Sequence, residues 1–352
     1  LVCINRSATR KSQTQQENRI IMKNILLIQT GGTIAMDITQ GEPKLDPSKW
    51  SELMYKEIPE LSEIAEIEIE QLFFEDSSDV SPDHWSRLIT FIAEHYEEYD
   101  GFVILHGTDT MAYTASALSF GLQNLKKPVI LTGSQVPMSN IRSDARRNLV
   151  NAIEMATLSL NEVAICFNDF VYRGNRATKM SIGDFDAFAS PNFPPLAEIG
   201  LHIEINSHLP ETKKPFLSLP SFRDEVFLLK IFPGLKVSML DDIDFSDIRV
   251  LVVEAFGSGN FPLTGENSLL PFFKKCVQNE TMLVITSQAA YDSVELEKYE
   301  SGRKAREVGA VSAKDMTTEA TLTKIMYLLG NYSSNDEIKD LFQKNIAGEL
   351  TE

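Results

Sequence analysis

The chain is short of cysteine. Its three cysteines, Cys3, Cys166 and Cys276, are odd in number and widely scattered. They fit neither a disulfide framework nor the paired spacing of a metal site. That usage suits a reducing compartment, so a cytoplasmic location is expected. Long apolar runs are missing too, since none approaches the ~20 residues of a membrane span. Positive charge is scarce: 33 Lys and Arg stand against 50 Asp and Glu, a formal net charge of −17. Phosphate binding needs clustered cations, so neither nucleic acid nor an anionic membrane is an expected partner. The histidines His84, His95, His106, His202 and His208 include no His-x-x-x-His pair, and no metal is expected. A Gly-x-Ser-x-Gly elbow is also absent, which argues against serine–histidine hydrolysis.

What is present is a large apolar fraction, 43%, in a chain long enough for two domains. Residues 1–21 stand apart. They hold Arg6, Arg10, Lys11 and Arg19 against Glu17 alone. Their one apolar patch, Leu1–Ile4, is too short for a signal-peptide core. They read as a disordered or tag-like tail, with a targeting peptide as the other reading. From residue 22 the pattern alternates strand and helix. Strands are expected at Ile25–Ile28, Ile64–Phe73, Phe102–Leu105, Val129–Thr132 and Val163–Phe167. The second of these alternates Ile67 and Ile69 with Glu66, Glu68 and Glu70, as an edge strand does. Ser81-Pro82 starts a helix with a serine cap and proline at its first position. Helices are also expected at Met111–Leu125 and Arg142–Leu160. Pro210, Pro215 and Pro220 break the pattern over 206–222, which reads as a linker. Strands at Val226–Phe232, Val250–Ala255 and Met282–Thr286 follow, with helices near Thr317–Leu329 and Asp336–Asn345. The expected fold is therefore α/β. A larger catalytic domain over 22–205 has a mostly parallel sheet flanked by helices, and a smaller α/β domain spans 223–352.

The chemistry lies in polar loops that follow the strands, where open α/β sheets bind ligands. Thr30-Gly31-Gly32-Thr33 follows the first strand. Its glycines allow a sharp turn that presents Thr33. A phosphate-cradling turn is the competing reading, but the P-loop lysine and the third glycine of a dinucleotide fingerprint are missing. His106-Gly107-Thr108-Asp109-Thr110 sets a hydroxyl beside a carboxylate. Alone it could be a helix cap. Threonine needs a base to become a nucleophile, and Lys179 in Arg173–Lys179 could be that base if burial lowered its pKa. Its bland reading is a solvated loop charge. Glu75-Asp76-Ser77-Ser78-Asp79 offers groups for both ends of an amino-acid zwitterion, or a cap before the Ser81 helix. All these loops together point to acyl transfer by threonine.

With these motifs the chain resembles the bacterial-type L-asparaginases, most closely the cytoplasmic type I branch. The resemblance rests on Thr30-Gly31-Gly32-Thr33-Ile34, Asp76-Ser77-Ser78-Asp79, the run Asp100–Thr114 and Thr132-Gly133-Ser134-Gln135. Arg142-Ser143-Asp144, Tyr172-Arg173-Gly174-Asn175-Arg176, the run Phe185–Asn192, Asp315-Met316-Thr317 and Glu319-Ala320-Thr321-Leu322 extend it. It implies hydrolysis of L-asparagine to L-aspartate and ammonia through an acyl-enzyme, without a cofactor. Thr33 matches the first catalytic threonine. Thr108, Asp109 and Lys179 match a second set that activates a nucleophile or water. Asp76, Ser77 and Ser78 match the pocket for the substrate's α-groups, with Thr108 and Asp109 also on the substrate. Self-association as a homodimer or homotetramer is implied, with Asn260 reaching a neighbour's site. Two departures stand out. The mobile loop Asp37–Leu45 has no tyrosine, and Glu42 lies near its usual place. Where some members hold an activator asparagine with arginine and cysteine, this chain has Glu254 and Ala289, so that switch is not expected. Two other readings are an ammonia-supplying subunit of a tRNA-dependent amidotransferase and a catalytically silent amino-acid-binding module. The first fits poorly with the acidity, the second with the intact Thr33, Thr108, Asp109 and Lys179.

Overall fold

A computed structural model describes residues 22–35, 47–206 and 213–351. The expected tail at 1–21, the loop Asp37–Leu45 with Glu42, and linker residues 207–212 lie outside the described residues.

Strand β1 (Asn24–Gly31) is apolar on both faces because both are covered. Leu26 and Ile28 enter one buried cluster, Ile25 and Leu27 the other. Strand β3 (Gly101–Leu105) repeats this, with Phe102 and Ile104 on one side and Val103 and Leu105 on the other. Strands β2 (Glu66–Glu75), β4 (Val129–Thr132) and β5 (Val163–Phe167) complete a parallel set in the order β2-β1-β3-β4-β5. As its alternation predicts, β2 is the edge. Ile64, expected in this strand, instead ends a short helix.

Beyond β5 the sheet turns antiparallel, which the sequence pattern did not predict. A tight turn at Asn168, φ +51, leads into β6 (Phe170–Arg173). Then β7 (Ala197–Ile199) and β8 (Ile203–Ile205) extend the sheet to eight strands. Helices α1 (Pro47–Glu57), α2 (Leu61–Ile64) and α5 (Ala145–Ala156) cover one face, through Trp50, Met54, Leu61 and Leu149. Helices α3 (Pro82–Glu94) and α4 (Met111–Gly121) cover the other. Helix α4 is buried all round, so it shows no polar stripe.

The second unit has four parallel strands in sequence order: β9 (Val226–Lys230), β10 (Val250–Ala255), β11 (Met282–Ser287) and β12 (Val311–Ser312). Helices α6 (Leu270–Gln278) and α7 (Glu300–Glu307) cover one face. Helices α8 (Thr318–Asn331) and α9 (Asn335–Phe342) cover the other. The units meet where α4 lies on α8, and Phe120 stacks on Tyr327 at 6.0 Å. The connecting segment is laid on the first unit. Leu217 and Ser218 pair with Gln123 and Leu122, and Phe216 stacks on Tyr96 at 3.9 Å. Among the described residues no helix is long and apolar enough to cross a membrane.

Candidate active site

Strands β2, β1, β3 and β4 are parallel neighbours, so the loops at their carboxyl ends share one edge. Thr33 begins a 3-10 turn after β1. Asp76–Ser78 follows β2, Thr108 and Asp109 follow β3, and Gly133–Gln135 follows β4. Glycines let three of these loops pack closely, backbone against backbone at Gly32 and backbone against the Ser77 side chain at Gly107. Gly32 has φ +84, and a Cβ there would lie 2.5 Å from Gly107 N. A Cβ on Gly107 would lie 2.6 Å from Ser77 Oγ. Hydroxyls tie the same loops: Thr30 donates to Leu105 O at 2.7 Å and Thr110 to Ser77 O at 2.6 Å. Thr108 is therefore no helix cap. The N-cap of α4 is Thr110, and its hydroxyl is spent on Ser77.

Asp76 carries both a capping and an electrostatic feature. Its Oδ1 accepts from Ser78 N at 2.9 Å and Ser78 Oγ at 2.7 Å. The backbone bond first, then the hydroxyl, holds this carboxyl below its ordinary range. Asp76 and Ser78 are exposed, while Ser77 is buried between the loops.

Behind Thr108 stands His106, fully buried. One ring nitrogen, Nδ1, is 2.7 Å from Gly107 O, and the other, Nε2, is 2.9 Å from Thr114 Oγ1. The Trp85 indole donates to the same hydroxyl at 3.1 Å. Burial pushes the imidazole down to about 4. The bond to Gly107 opposes this, and the charge of His84 adds to it.

Lys179 does not reach the site from a parallel strand end. Strand β6 runs away from the edge, and Arg173 pairs with Ala164 at the start of β5. The chain then returns alongside α4, with Gly174 against Ala115 and Ser119, to the short strand Thr178–Lys179. There Lys179 Nζ donates to Thr108 Oγ1 at 2.7 Å and to Asp109 Oδ1 at 2.6 Å. The lysine side chain is 14% exposed and the aspartate 66%. The bland reading of Lys179 as a solvated charge does not hold.

The chain's own C-terminus secures this return path. Arg173 pairs with buried Glu162 and donates to Gly348 O, and Asn175 donates to Ala347 O. Arg176 pairs with Asp315 at 3.0 Å and donates to Glu349 O at 2.8 Å. Thr178 donates to Glu319 Oε1 at 2.6 Å, and burial raises the Glu319 pKa.

Sequence reasoning did not assign a role to Gln135. Its Oε1 accepts from Thr108 Oγ1 at 3.1 Å. The signal was present, for Gln135 also follows a parallel strand. Asn260 stands apart from this cluster, after β10 in the second unit. Its side-chain oxygen accepts from Ser301 at 2.8 Å, and its backbone pairs with Phe256. Glu254 is engaged by Lys230 at 2.8 Å and by the Thr318 hydroxyl at 3.2 Å. Among the described residues no three His, Cys, Asp or Glu side chains converge as metal ligands would. A 480 Å³ cavity lined by Asn161, Glu162, Arg173 and Gly348 lies at the other end of the return path. It shares no residue with the threonine loops, and its Arg173 and Glu162 pair with each other.

Comparison with known proteins covers both units. Residues 24–211 match the family model "Asparaginase, N-terminal" and residues 225–342 match "Glutaminase/Asparaginase C-terminal domain". The chain is 39% identical to L-asparaginase 1 of Escherichia coli, over 94% of this chain and 98% of that one. The crystal structure of L-asparaginase I from Vibrio cholerae superposes with a TM-score of 0.85 at 36% identity, covering 94% of this chain and 99% of the other. A glutamyl-tRNA(Gln) amidotransferase component from Pyrococcus abyssi is 32% identical over 94% of this chain and 77% of its own length.

Proposed function

The chain belongs to the asparaginase family, and on that premise we propose that it hydrolyses L-asparagine to L-aspartate and ammonia. The observation that carries the mechanism is the Lys179 ammonium, 2.7 Å from Thr108 Oγ1 and 2.6 Å from Asp109. Acting as base in its unprotonated form, Lys179 takes the proton of the Thr108 hydroxyl that it touches. Thr33 and Thr108 are the hydroxyls at adjoining strand ends, with Thr33 as the attacking group of the first half-reaction. The oxygen adds to the side-chain amide carbon, the C–N bond breaks, and ammonia leaves with a proton returned to it. Water then attacks the resulting ester, releasing aspartate and restoring the hydroxyl. Asp76 and Asp109 attract the substrate's α-ammonium, and the hydroxyls of Ser77, Ser78 and Thr108 suit its polar groups. Asn260 of the partner subunit completes the site in a homodimer or homotetramer. Two buried free thiols, Cys166 and Cys276, suit a reducing cytoplasm.

The test is ammonia release by the purified chain from L-asparagine and, separately, L-glutamine. Turnover of asparagine without tRNA or another subunit is expected. Thr33→Ala and Thr108→Ala should each lower kcat by about 10³-fold, and the double variant should be barely worse, because the groups act as a unit. Absence of turnover by the intact chain would sink the proposal and favour the amidotransferase reading.

A further inference from the structure

Thr108 has a second neighbour besides Lys179. Gln135 Oε1 lies 3.1 Å from Thr108 Oγ1 on the strand-β4 side of the site. A charged ammonium offers only hydrogens, so the threonine oxygen accepts from Lys179 and its own proton is directed to Gln135. The amide cannot reverse its ends. Gln135 Nε2 donates to Ser181 O at 3.3 Å and Asp184 O at 3.2 Å, and carbonyls only accept. A flip would set three oxygens together. The Gln135 backbone is held as well. The Asp144 carboxylate accepts from Gln135 N at 3.0 Å and from Val136 N at 3.1 Å. Asn148 Nδ2 clamps the arrangement, donating to Gly133 O at 2.9 Å and Asp144 at 3.0 Å.

Ser181 and Asp184 belong to the turn that directly follows Lys179. Gln135 thus grips both partners of the proton transfer, the hydroxyl through Oε1 and the lysine's turn through Nε2. We propose that Gln135 is a positioning residue that holds the Thr108 oxygen against Lys179 and fixes the distance between them. This rests on the asparaginase reading above. Of the charged groups around Lys179, Asp109 is in direct contact, and Glu319 accepts from the adjacent Thr178.

Three variants test it. Gln135→Met keeps the length and loses both ends of the amide. Losing one neutral hydrogen bond to a reacting group should lower kcat by about 10-fold, with KM changed less than about twofold. Gln135→Glu keeps an oxygen for Thr108 and loses the two donors, so its kcat should lie between those of the Met variant and the parent. A parent-like kcat in Gln135→Met overturns the proposal. Equal losses in the Met and Glu variants also overturn it, because only the turn's tether would then matter. A readout independent of turnover is the melting of Thr108→Val, Gln135→Met and their double variant. The double should lose less Tm than the two singles summed, since one shared bond is lost once. Additive losses overturn the proposal. If the parent chain releases no ammonia, the asparaginase reading falls, and the melting cycle alone still decides Gln135.

Discussion

Replacing His106 with glutamine isolates one buried ring next to the Thr108 loop. The geometry fixes its tautomer: Gly107 O can only accept, so Nδ1 carries the hydrogen and Nε2 accepts from Thr114. The folded ring titrates at about 4, pushed down chiefly by burial. In the unfolded chain a histidine titrates near ~6.5. Between those values the unfolded chain binds a proton that the folded chain refuses, so stability falls as pH falls through the window. The gap corresponds to roughly 3 kcal/mol at about 1.4 kcal/mol per pH unit. Glutamine can donate to Gly107 and accept from Thr114 without titrating. At pH 7 the variant should be the less stable by about 1–2 kcal/mol, from imperfect packing and bonding. That deficit should shrink as the pH drops and reverse between about pH 6 and 5, the full change by about pH 4 being roughly 3 kcal/mol. Both tryptophans, Trp50 and Trp85, lie in the first unit, so their fluorescence in urea follows its unfolding. Subtracting the two proteins' stabilities at each pH removes the carboxylate titrations they share. Parallel stability curves for the two proteins across this window would refute the reasoning.

Lys179→Met keeps much of the side chain's volume and removes the charge, so folding should be near normal while ammonia release falls by about 10³-fold; normal turnover would reduce Lys179 to a structural ion pair. Lys324 and Glu349 are both fully buried and 2.5 Å apart, and burial, partly offset by Glu349, lowers the lysine's pKa. Glu349→Gln should destabilise by about 3–5 kcal/mol, and the paired change Lys324→Met with Glu349→Leu by less than either single change, as melting curves would show. Initial rate against asparagine concentration should be hyperbolic. Glu254 sets a carboxylate, already engaged by Lys230 and Thr318, where an effector carboxylate would need a cation. A Hill coefficient clearly above one that disappears in Glu254→Ala would contradict this.

The sequence by itself determined the parallel half of the fold. Strands β1, β3, β4 and β5 are continuous apolar runs because both faces are covered, and such runs are visible without any partner. The edge position of β2 was equally visible, since its glutamates alternate with isoleucines. The Thr33, Asp76 and Thr108 loops could be placed at strand ends for the same reason. Other elements left weaker marks. Helix α1 shows only Trp50 and Met54, with Ile58 just after its end, at four-residue spacing, and β6–β8 are three or four residues long. Their stability comes from neighbours in the sheet, not from their own pattern. Tertiary structure alone decided how Lys179 meets Thr108, 71 positions earlier in the chain. That meeting depends on the return of 174–179 along α4 and on the C-terminal residues that grip Arg173, Asn175 and Arg176. Gln135 is the same case: its residue type and its place after β4 could be read, but not its grip on both the hydroxyl and the turn. Hydrogen bonds between distant loops are set by where the backbone brings donors and acceptors, and local periodicity carries no record of that.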